Sequence, residues 1–214
     1  MKSARLTTLA RWFCIPERHA IRTPEIDERI LRTIGRLARA GKIVLVTGPS
    51  GSGKSCLVRA IRDRLTKRRT LVDVDSIALA TVPLVECFAK TSLDETLSIL
   101  SRIGLAEAWS YFRTPQQLSE GQRWRVKLAL AVEQVRDDAD SVLIADEFAA
   151  VLDRVTAAVV ARSVRRTIDA HQGVCAIVAT SHDDLAGALE PDLMVRCDFG
   201  RISMVHRYNE RFRD

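Results

Sequence analysis

Short, continuous apolar runs recur along the chain at 43–46, 70–74, 142–145, 175–179 and 193–196, with a last one at 202–205. Most are separated by stretches in which apolar residues return every three or four positions. The runs read as strands and the stretches between them as helices. Their alternation predicts an α/β domain with a largely parallel sheet and right-handed crossovers. A run such as Val142–Ala145, apolar throughout, predicts a strand covered on both faces. Residues 1–40 read as a mainly helical segment. There Thr23 and Pro24 open a helix with Glu25, Asp27 and Glu28 in its first turns, and Ile26, Ile30, Ile34 and Leu37 form its apolar stripe before Gly41 ends it. Residues 91–111 are amphipathic, with Leu93, Leu97, Leu100, Ile103 and Leu105 at helical spacing and Ser92 with Glu95 as a capping box.

The chain has 214 residues and 47% hydrophobic content, enough for one sizeable core. No apolar run approaches a membrane-spanning length. Arg11 and Arg18 interrupt the N-terminal stretch, which reads as a short surface helix rather than a signal peptide or anchor. Five scattered cysteines with apolar neighbours and no CxxC pair predict reduced, mostly buried thiols in a cytoplasmic protein. The net charge of +6 is uneven. Residues 1–69 hold 17 of the 33 Lys and Arg but 5 of the 27 Asp and Glu, a balance of +12. Arg59, Arg62, Arg64, Lys67, Arg68 and Arg69 form a local cluster. It reads either as a solvated helix end that suits the helix dipole or as a face for a polyanion such as nucleic acid, with Arg62, Lys67, Arg68 and Arg69 on the phosphates. No aromatic residue interleaves with it, which argues against base stacking.

Between the first apolar run and the helical pattern of Leu57, Val58, Ile61 and Leu65 lies Gly48-Pro49-Ser50-Gly51-Ser52-Gly53-Lys54-Ser55. Strand, glycine-rich turn and helix in that order form a phosphate-binding P-loop. The glycines let several N–H groups point into one hollow, and the next helix adds its positive end. Lys54 is placed to reach the β- and γ-phosphates of ATP, and the Ser55 hydroxyl to ligate Mg²⁺. Cys56 stands directly behind Ser55, where bound nucleotide would shield it.

Three further segments follow in order. Leu118-Ser119-Glu120-Gly121-Gln122 precedes a long helical pattern, and Ser119 with Gln122 also fits a capping box. Val142–Ala145 ends in Asp146 and Glu147, with Leu152-Asp153 beyond. Val178-Ala179-Thr180-Ser181-His182-Asp183 closes a later strand. Together with the P-loop, these resemble the signature (LSGGQ), Walker B, D-loop and switch-histidine motifs of ATP-binding cassette (ABC) ATPases. The resemblance covers residues from about 41 to about 198.

The resemblance implies a P-loop NTPase domain over residues 41–214, with a helical lobe at about 88–135 reduced to little more than one helix and a loop. Trp109, Tyr111 and Phe112 would pack that lobe. One strand should separate the P-loop strand from the Asp146 strand. Asp146 would hold Mg²⁺ with Ser55, and Glu147 would take a proton from the attacking water or orient it. His182 would contact the γ-phosphate, and Asp153 would couple the two sites of a dimer. Ser119, the Gly121 backbone and Gln122 would serve the γ-phosphate of a partner subunit, so that the active form is an ATP-dependent head-to-tail homodimer.

Two departures from the family pattern stand out. No Gln occurs between Ser55 and Pro115, which leaves Glu86 as the candidate for the Q-loop position. The residue that stacks on adenine has no clear counterpart, and Trp12, Phe13 and Arg22 are the candidates. Phe148 in place of the common proline, and Leu152-Asp153-Arg154-Val155-Thr156-Ala157, are similar to a group of soluble prokaryotic cassette ATPases, some of them joined to a predicted acetyltransferase domain. The resulting expectation is a cytoplasmic, Mg²⁺-dependent ATPase acting as a dimerising switch or motor for a soluble partner, nucleic acid among the candidates. The alternatives are an ATP-binding subunit of a membrane transporter and a P-loop kinase of a small substrate.

Overall fold

The computed structural model describes residues 4–14, 26–37, 41–136, 140–171 and 173–206. The described helices are α1 (Ala4–Trp12), α2 (Glu28–Leu37), α3 (Lys54–Leu65), α4 (Leu93–Arg102), α5 (Glu120–Arg136), α6 (Arg154–Ala170) and α7 (Ala186–Leu189). The strands are β1 (Ile43–Thr47), β2 (Thr70–Asp73), β3 (Ser141–Ala145), β4 (Cys175–Thr180), β5 (Leu193–Asp198) and β6 (Arg201–His206). They form one sheet in the order β2-β3-β4-β1-β5-β6. The first five are parallel, and β6 returns antiparallel to β5. As expected, β4 separates β1 from β3, with Val44 and Ile144 both opposite Ile177.

Every residue of β1, β3 and β4 is buried, because helices cover both faces of the sheet. Alternate positions divide between two cores. Val44, Val46, Val142, Ile144, Ile177 and Ala179 face α2 and α3. Ile43, Leu45, Leu143, Ala145, Ala176 and Val178 face α5, α6 and α7. This is the period of two of a strand expressed as two separate hydrophobic clusters.

Helix α2 starts later than Thr23 and Pro24 predict. Asp27 accepts the Arg29 N–H at 2.8 Å through its side chain and the Ile30 N–H at 3.0 Å through its carbonyl, so Asp27 caps the helix. Residues 23–25 lie outside the described residues. Helix α4 opens at Ser92, whose side chain accepts the Glu95 N–H at 3.3 Å. The amphipathic stretch ends at Arg102 rather than Tyr111, because Gly104 takes a left-handed φ of 78° and turns the chain away. Short 3₁₀ turns at Leu84–Cys87, Ala108–Phe112 and Pro115–Gln117 complete the small lobe.

The lobe has its own core of Leu84, Phe88, Ile99, Leu100, Ile103, Leu105 and Leu118. Helix α5 serves both: Val126, Ala129 and Leu130 enter the lobe core, while Leu128, Ala131, Val132 and Val135 enter the main one. Trp109 and Phe112 do not pack inside the lobe as expected. They are 48% and 81% exposed, and Arg113 lies 4.2 Å from the centre of the Trp109 ring. The thiols also depart from expectation: Cys175 and Cys197 are buried, Cys56 and Cys87 half-buried, and Cys14 exposed.

At the amino-terminal end of the strands Arg69 is buried and bonded to the carbonyls of Asp140 (2.7 Å), Gly173 (2.6 Å) and Ser141 (3.4 Å), and to the Asp140 carboxylate (2.8 Å). It ties β3 to the turn before β4. Arg62 pairs with Asp73 of β2. Both side chains therefore hold the fold together, which removes them from the set expected to contact phosphates.

Candidate functional site

The carboxyl ends of β1, β3 and β4 meet at one pole of the sheet, where ligands of open parallel sheets bind. The P-loop leaves β1 at Gly48. A Cβ built there would lie 2.1 Å from the Cys197 carbonyl oxygen, so only glycine lets the loop pass β5 this closely. Gly53 takes φ of 100° and opens α3 directly into Lys54. The Lys54 ammonium folds back onto the carbonyls of Gly48 at 2.8 Å and Pro49 at 2.9 Å. Those bonds hold the loop in its curl with the cation at its centre. Ser50, Gly51 and Ser55 are exposed, while Ser52 is buried and its hydroxyl has no partner among the described residues.

Beyond β3 the chain bends sharply. Glu147 and Ala149 adopt left-handed φ of 48° and 59°, an uncommon conformation for residues with side chains. Phe148 explains the bend. It is fully buried, and its ring meets Trp124 of α5 edge-on at 5.3 Å. Its N–H donates to Ala179 at 2.7 Å, and its carbonyl accepts the Thr180 hydroxyl at 3.1 Å. Pulling Phe148 inward turns Glu147 outward, where it is exposed at the pole. Asp146 accepts the Glu147 N–H at 3.0 Å through one carboxylate oxygen.

Ser50, Gly51, Gly53, Lys54, Ser55 and Cys56 line a cavity of about 340 Å³ together with Glu147, Ala150 and Ser181. The structure thus brings the P-loop, the second Walker B acid and the end of β4 into one space. His182 is half-buried beside Ser181, and its N–H donates to the Thr180 hydroxyl at 3.1 Å. Asp183 accepts the Thr47 hydroxyl, fixing this turn to the end of β1.

Asp146, Glu147, Trp124, Ala150, Val151 and Asp75 line an adjoining cavity of about 300 Å³. Asp75 was not a candidate from the sequence. Desolvation pushes its carboxyl above the usual range although the residue reaches solvent. The charges of Asp73 and Asp146 push it the same way, Lys127 opposes them, and Glu147 adds to the rise. Glu86, the expected Q-loop substitute, is exposed in the turn at 84–87 and lines neither cavity. The polar residue that approaches the Walker B acids from the strand beside β3 is Asp75. The register could have pointed to it: Asp73 stands opposite Ile144, so a side chain two residues on falls beside Asp146.

The signature segment lies apart from the P-loop. Ser119 and Gln122 form a complete capping box: Gln122 N–H donates to the Ser119 hydroxyl at 3.2 Å, and Ser119 N–H donates to the Gln122 side chain at 3.0 Å. Gly121 sits against the D-loop, since a Cβ there would come within 3.0 Å of Leu152 and 3.2 Å of the Val151 carbonyl. Asp153 caps α6, accepting the Thr156 N–H at 3.0 Å and the Thr156 hydroxyl at 2.6 Å. These bonds hold the Asp153 carboxyl below its usual range. None of Ser119, Gly121, Gln122 or Asp153 lines the P-loop cavity. Trp12 and Phe13 are exposed on and just after α1 and do not line it either, and Arg22 lies outside the described residues.

The donor set suits the ligands it predicts. The exposed Ser55 hydroxyl and the second oxygen of Asp146 are hard oxygen donors of the kind Mg²⁺ takes. The curled loop around an ammonium suits a polyphosphate.

Comparison with known proteins agrees. The family described as AAA ATPase domain matches residues 20–177. The lipoprotein-releasing system ATP-binding protein LolD of Maricaulis maris is 30% identical over 197 residues, covering 75% of this chain and 83% of that protein. The methionine import ATP-binding protein MetN of Cutibacterium acnes is 28% identical over 210 residues, covering 81% of this chain and 55% of that protein. Among solved structures, the fold is similar to the ATP-binding cassette MJ0796, a dimer in a post-hydrolysis state with ADP and Pi. That match has a TM-score of 0.59 and 21% identity over 78% of this chain and 85% of the other. The AAA match stops before His182, whereas the relatives and the solved structure are of the cassette type. The chain therefore belongs to the ATP-binding cassette family and is an ATP hydrolase.

Proposed function

We propose that this chain hydrolyses Mg-ATP at two sites shared across a head-to-tail homodimer and uses the cycle to drive a membrane partner. One observation carries the shared-site reading. Lys54, Ser55 and Glu147 line one cavity, while Ser119 and Gly121 lie outside it beside the D-loop. A helix N-terminus with a serine hydroxyl suits a phosphate, and within one subunit it does not face the P-loop cavity. A two-fold axis that brings the signature of one copy over the P-loop of another completes both sites at once.

In this site the P-loop N–H groups and Lys54 hold the β- and γ-phosphates. Ser55 and Asp146 would hold Mg²⁺, which neutralises phosphate charge when bound. The outward Glu147 carboxylate takes the proton of the attacking water. His182, fixed next to Ser181 by Thr180, orients the γ-phosphate side of the cavity. Asp75 positions the Walker B acids or their water from the β2 side, in place of a Q-loop glutamine. Asp153, besides capping α6, links the two sites. The adenine contact has no assigned residue.

The relatives' names support a membrane partner over the soluble motor that the sequence suggested. One belongs to a lipoprotein-releasing system and the other to methionine import. They differ in cargo at similar identity, so cargo does not transfer to this chain. Among the described residues no helix is long and apolar enough to cross a membrane, so a spanning partner would supply the path. The exposed Val82, Trp109 and Phe112 of the lobe offer an apolar surface for it. The resemblance of the Phe148 and Leu152–Ala157 region to the soluble cassette group supports the competing reading, a switch for a soluble protein.

Mixing two inactive variants tests the shared site. Ser119→Arg blocks the signature and Lys54→Ala the P-loop. Their heterodimer holds one intact P-loop opposite one intact signature, so hydrolysis returns on mixing. A mixture that stays inactive while both proteins fold contradicts the shared site. Copurification in detergent tests the partner: a permease supports the membrane reading, and a soluble protein in its place supports the alternative.

A further inference from the structure

A second large cavity, of about 770 Å³, lies between α2 and the end of α3, at the pole of the sheet opposite the nucleotide site. Its rim is basic. Arg32 and Arg36 stand one turn apart on α2, and Lys67 and Arg68 follow α3. All four are exposed, and among the described residues none of their side chains has an ion pair or hydrogen bond. Arg64 crosses the groove and is held by both oxygens of Glu28, at 2.7 and 3.0 Å. Gly35 lies beside it, where a Cβ would meet the Arg64 Nε at an ordinary contact distance of 3.9 Å. Asp63 is the other acid in the lining.

We infer that this groove binds the phosphate backbone of single-stranded nucleic acid, without reading its bases. The site is independent of the partner that the ATPase drives. Residues one turn apart on a helix are separated by about 6 Å along its axis. That spacing repeats the cations on the scale of one to two nucleotides, since successive phosphates advance about 3.4 Å along a strand stacked as in a duplex and further along an extended one. The shape is a slot, a recess of about 770 Å³ between α2 and the end of α3, which admits a flexible strand more readily than a rigid duplex. A flat anionic membrane would not enter such a slot. No aromatic side chain lines it, so there is no platform for base stacking, and affinity should be electrostatic and insensitive to sequence. This assignment replaces the set expected from sequence. Arg62 and Arg69 are committed to Asp73 and to Asp140, and Arg32 and Arg36 take their place.

The test is fluorescence anisotropy with labelled oligothymidylate and oligouridylate of about 16 nucleotides, a length matched to single-strand sites. Four free cations predict a log–log salt slope of about −3, so affinity falls about 50-fold between roughly 50 and 200 mM salt. Both oligomers should bind, and each should bind more tightly than its duplex. The combined variant Arg32→Ala, Arg36→Ala, Lys67→Ala and Arg68→Ala should lose most of the affinity while retaining ATP binding. A control variant, Arg102→Ala with Arg162→Ala and Arg166→Ala, removes three exposed cations that line a separate cavity. It should keep the affinity. The inference is overturned if the wild type fails to bind at the lower salt, if the control loses as much as the groove variant, or if duplex binds more tightly. Should the four-residue variant misfold, the pair Arg32→Gln and Lys67→Gln should still reduce the slope by about 1.4.

Discussion

The two poles of the parallel sheet use charge in opposite ways. At the amino-terminal pole, charges hold the fold. Arg69 is bonded to three carbonyls and the Asp140 carboxylate, and Asp192 receives Lys42 at 2.9 Å, Arg165 at 3.2 Å and the Ile43 N–H at 3.0 Å. At the carboxyl-terminal pole, Asp146 is bonded to the adjacent backbone N–H, and among the described residues neither it nor Glu147 pairs with a cation. Lys54 rests on carbonyls of its own loop. The first pole satisfies its buried charges internally and leaves the cations of the α2–α3 groove exposed, whereas the second turns the acids at the end of β3 outward without a cation paired with them among the described residues. A substitution at the first should therefore cost stability and leave chemistry intact, and a substitution at the second should do the reverse.

The largest separation is expected at Glu147. Glu147→Gln should lower steady-state ATP hydrolysis by about 10²- to 10⁴-fold, the usual worth of a general base. Its urea-unfolding midpoint should match the wild type. A loss of stability without loss of turnover would reverse the assignment of this pole.

Arg69→Ala is the mirror experiment. Losing a buried guanidinium orphans the carbonyls it serves and should cost about 3 kcal/mol in urea unfolding. Bound fluorescent ATP analogue, measured where the variant is folded, should be unchanged. Gly48→Ala should affect both properties, because the strand-to-loop passage belongs to both. Its Cβ meets the Cys197 carbonyl and its φ is +140°, so a cost of about 2 kcal/mol should accompany weaker nucleotide binding.

The smallest effect concerns pH. Burial would raise the Asp192 carboxyl, but the Ile43 N–H, Lys42 and Arg165 outweigh it and hold the group below the usual range. Its stabilising contribution is therefore complete above the unfolded value of about 4 and is lost as pH falls through the lower folded value. Asp192→Asn should flatten that acid limb of the urea midpoint against pH and leave the neutral region parallel to wild type.

Much of the nucleotide pole could be read from contiguous residues. The P-loop, Asp146-Glu147 and Thr180-Ser181-His182 are local motifs at strand ends, and the six strands follow from apolar runs. What stayed hidden depends on tertiary pairing. Asp75 reaches the Walker B acids because β2 lies beside β3, whereas Glu86, nearer the expected sequence position, turns away on a 3₁₀ turn. Arg62 and Arg69 looked equivalent to Lys67 and Arg68 in a run of basic residues. Their roles separate because Asp73 and the 140–141 backbone stand opposite the first two. Trp109 and Phe112 looked like packing residues, but Leu84, Leu100 and Leu105 already fill the lobe core.

The most direct test of the account is the mass of the Glu147→Gln protein by light scattering with and without ATP. Slowed hydrolysis should trap the closed head-to-tail form, so the mass should double with ATP and rise less with ADP, which lacks the γ-phosphate. Ser119→Arg added to that variant should keep it monomeric while each P-loop still binds nucleotide. If Glu147→Gln stays monomeric at saturating ATP, or if Ser119→Arg dimerises as readily, the sites are not completed across a two-fold interface and the account of the signature helix is wrong.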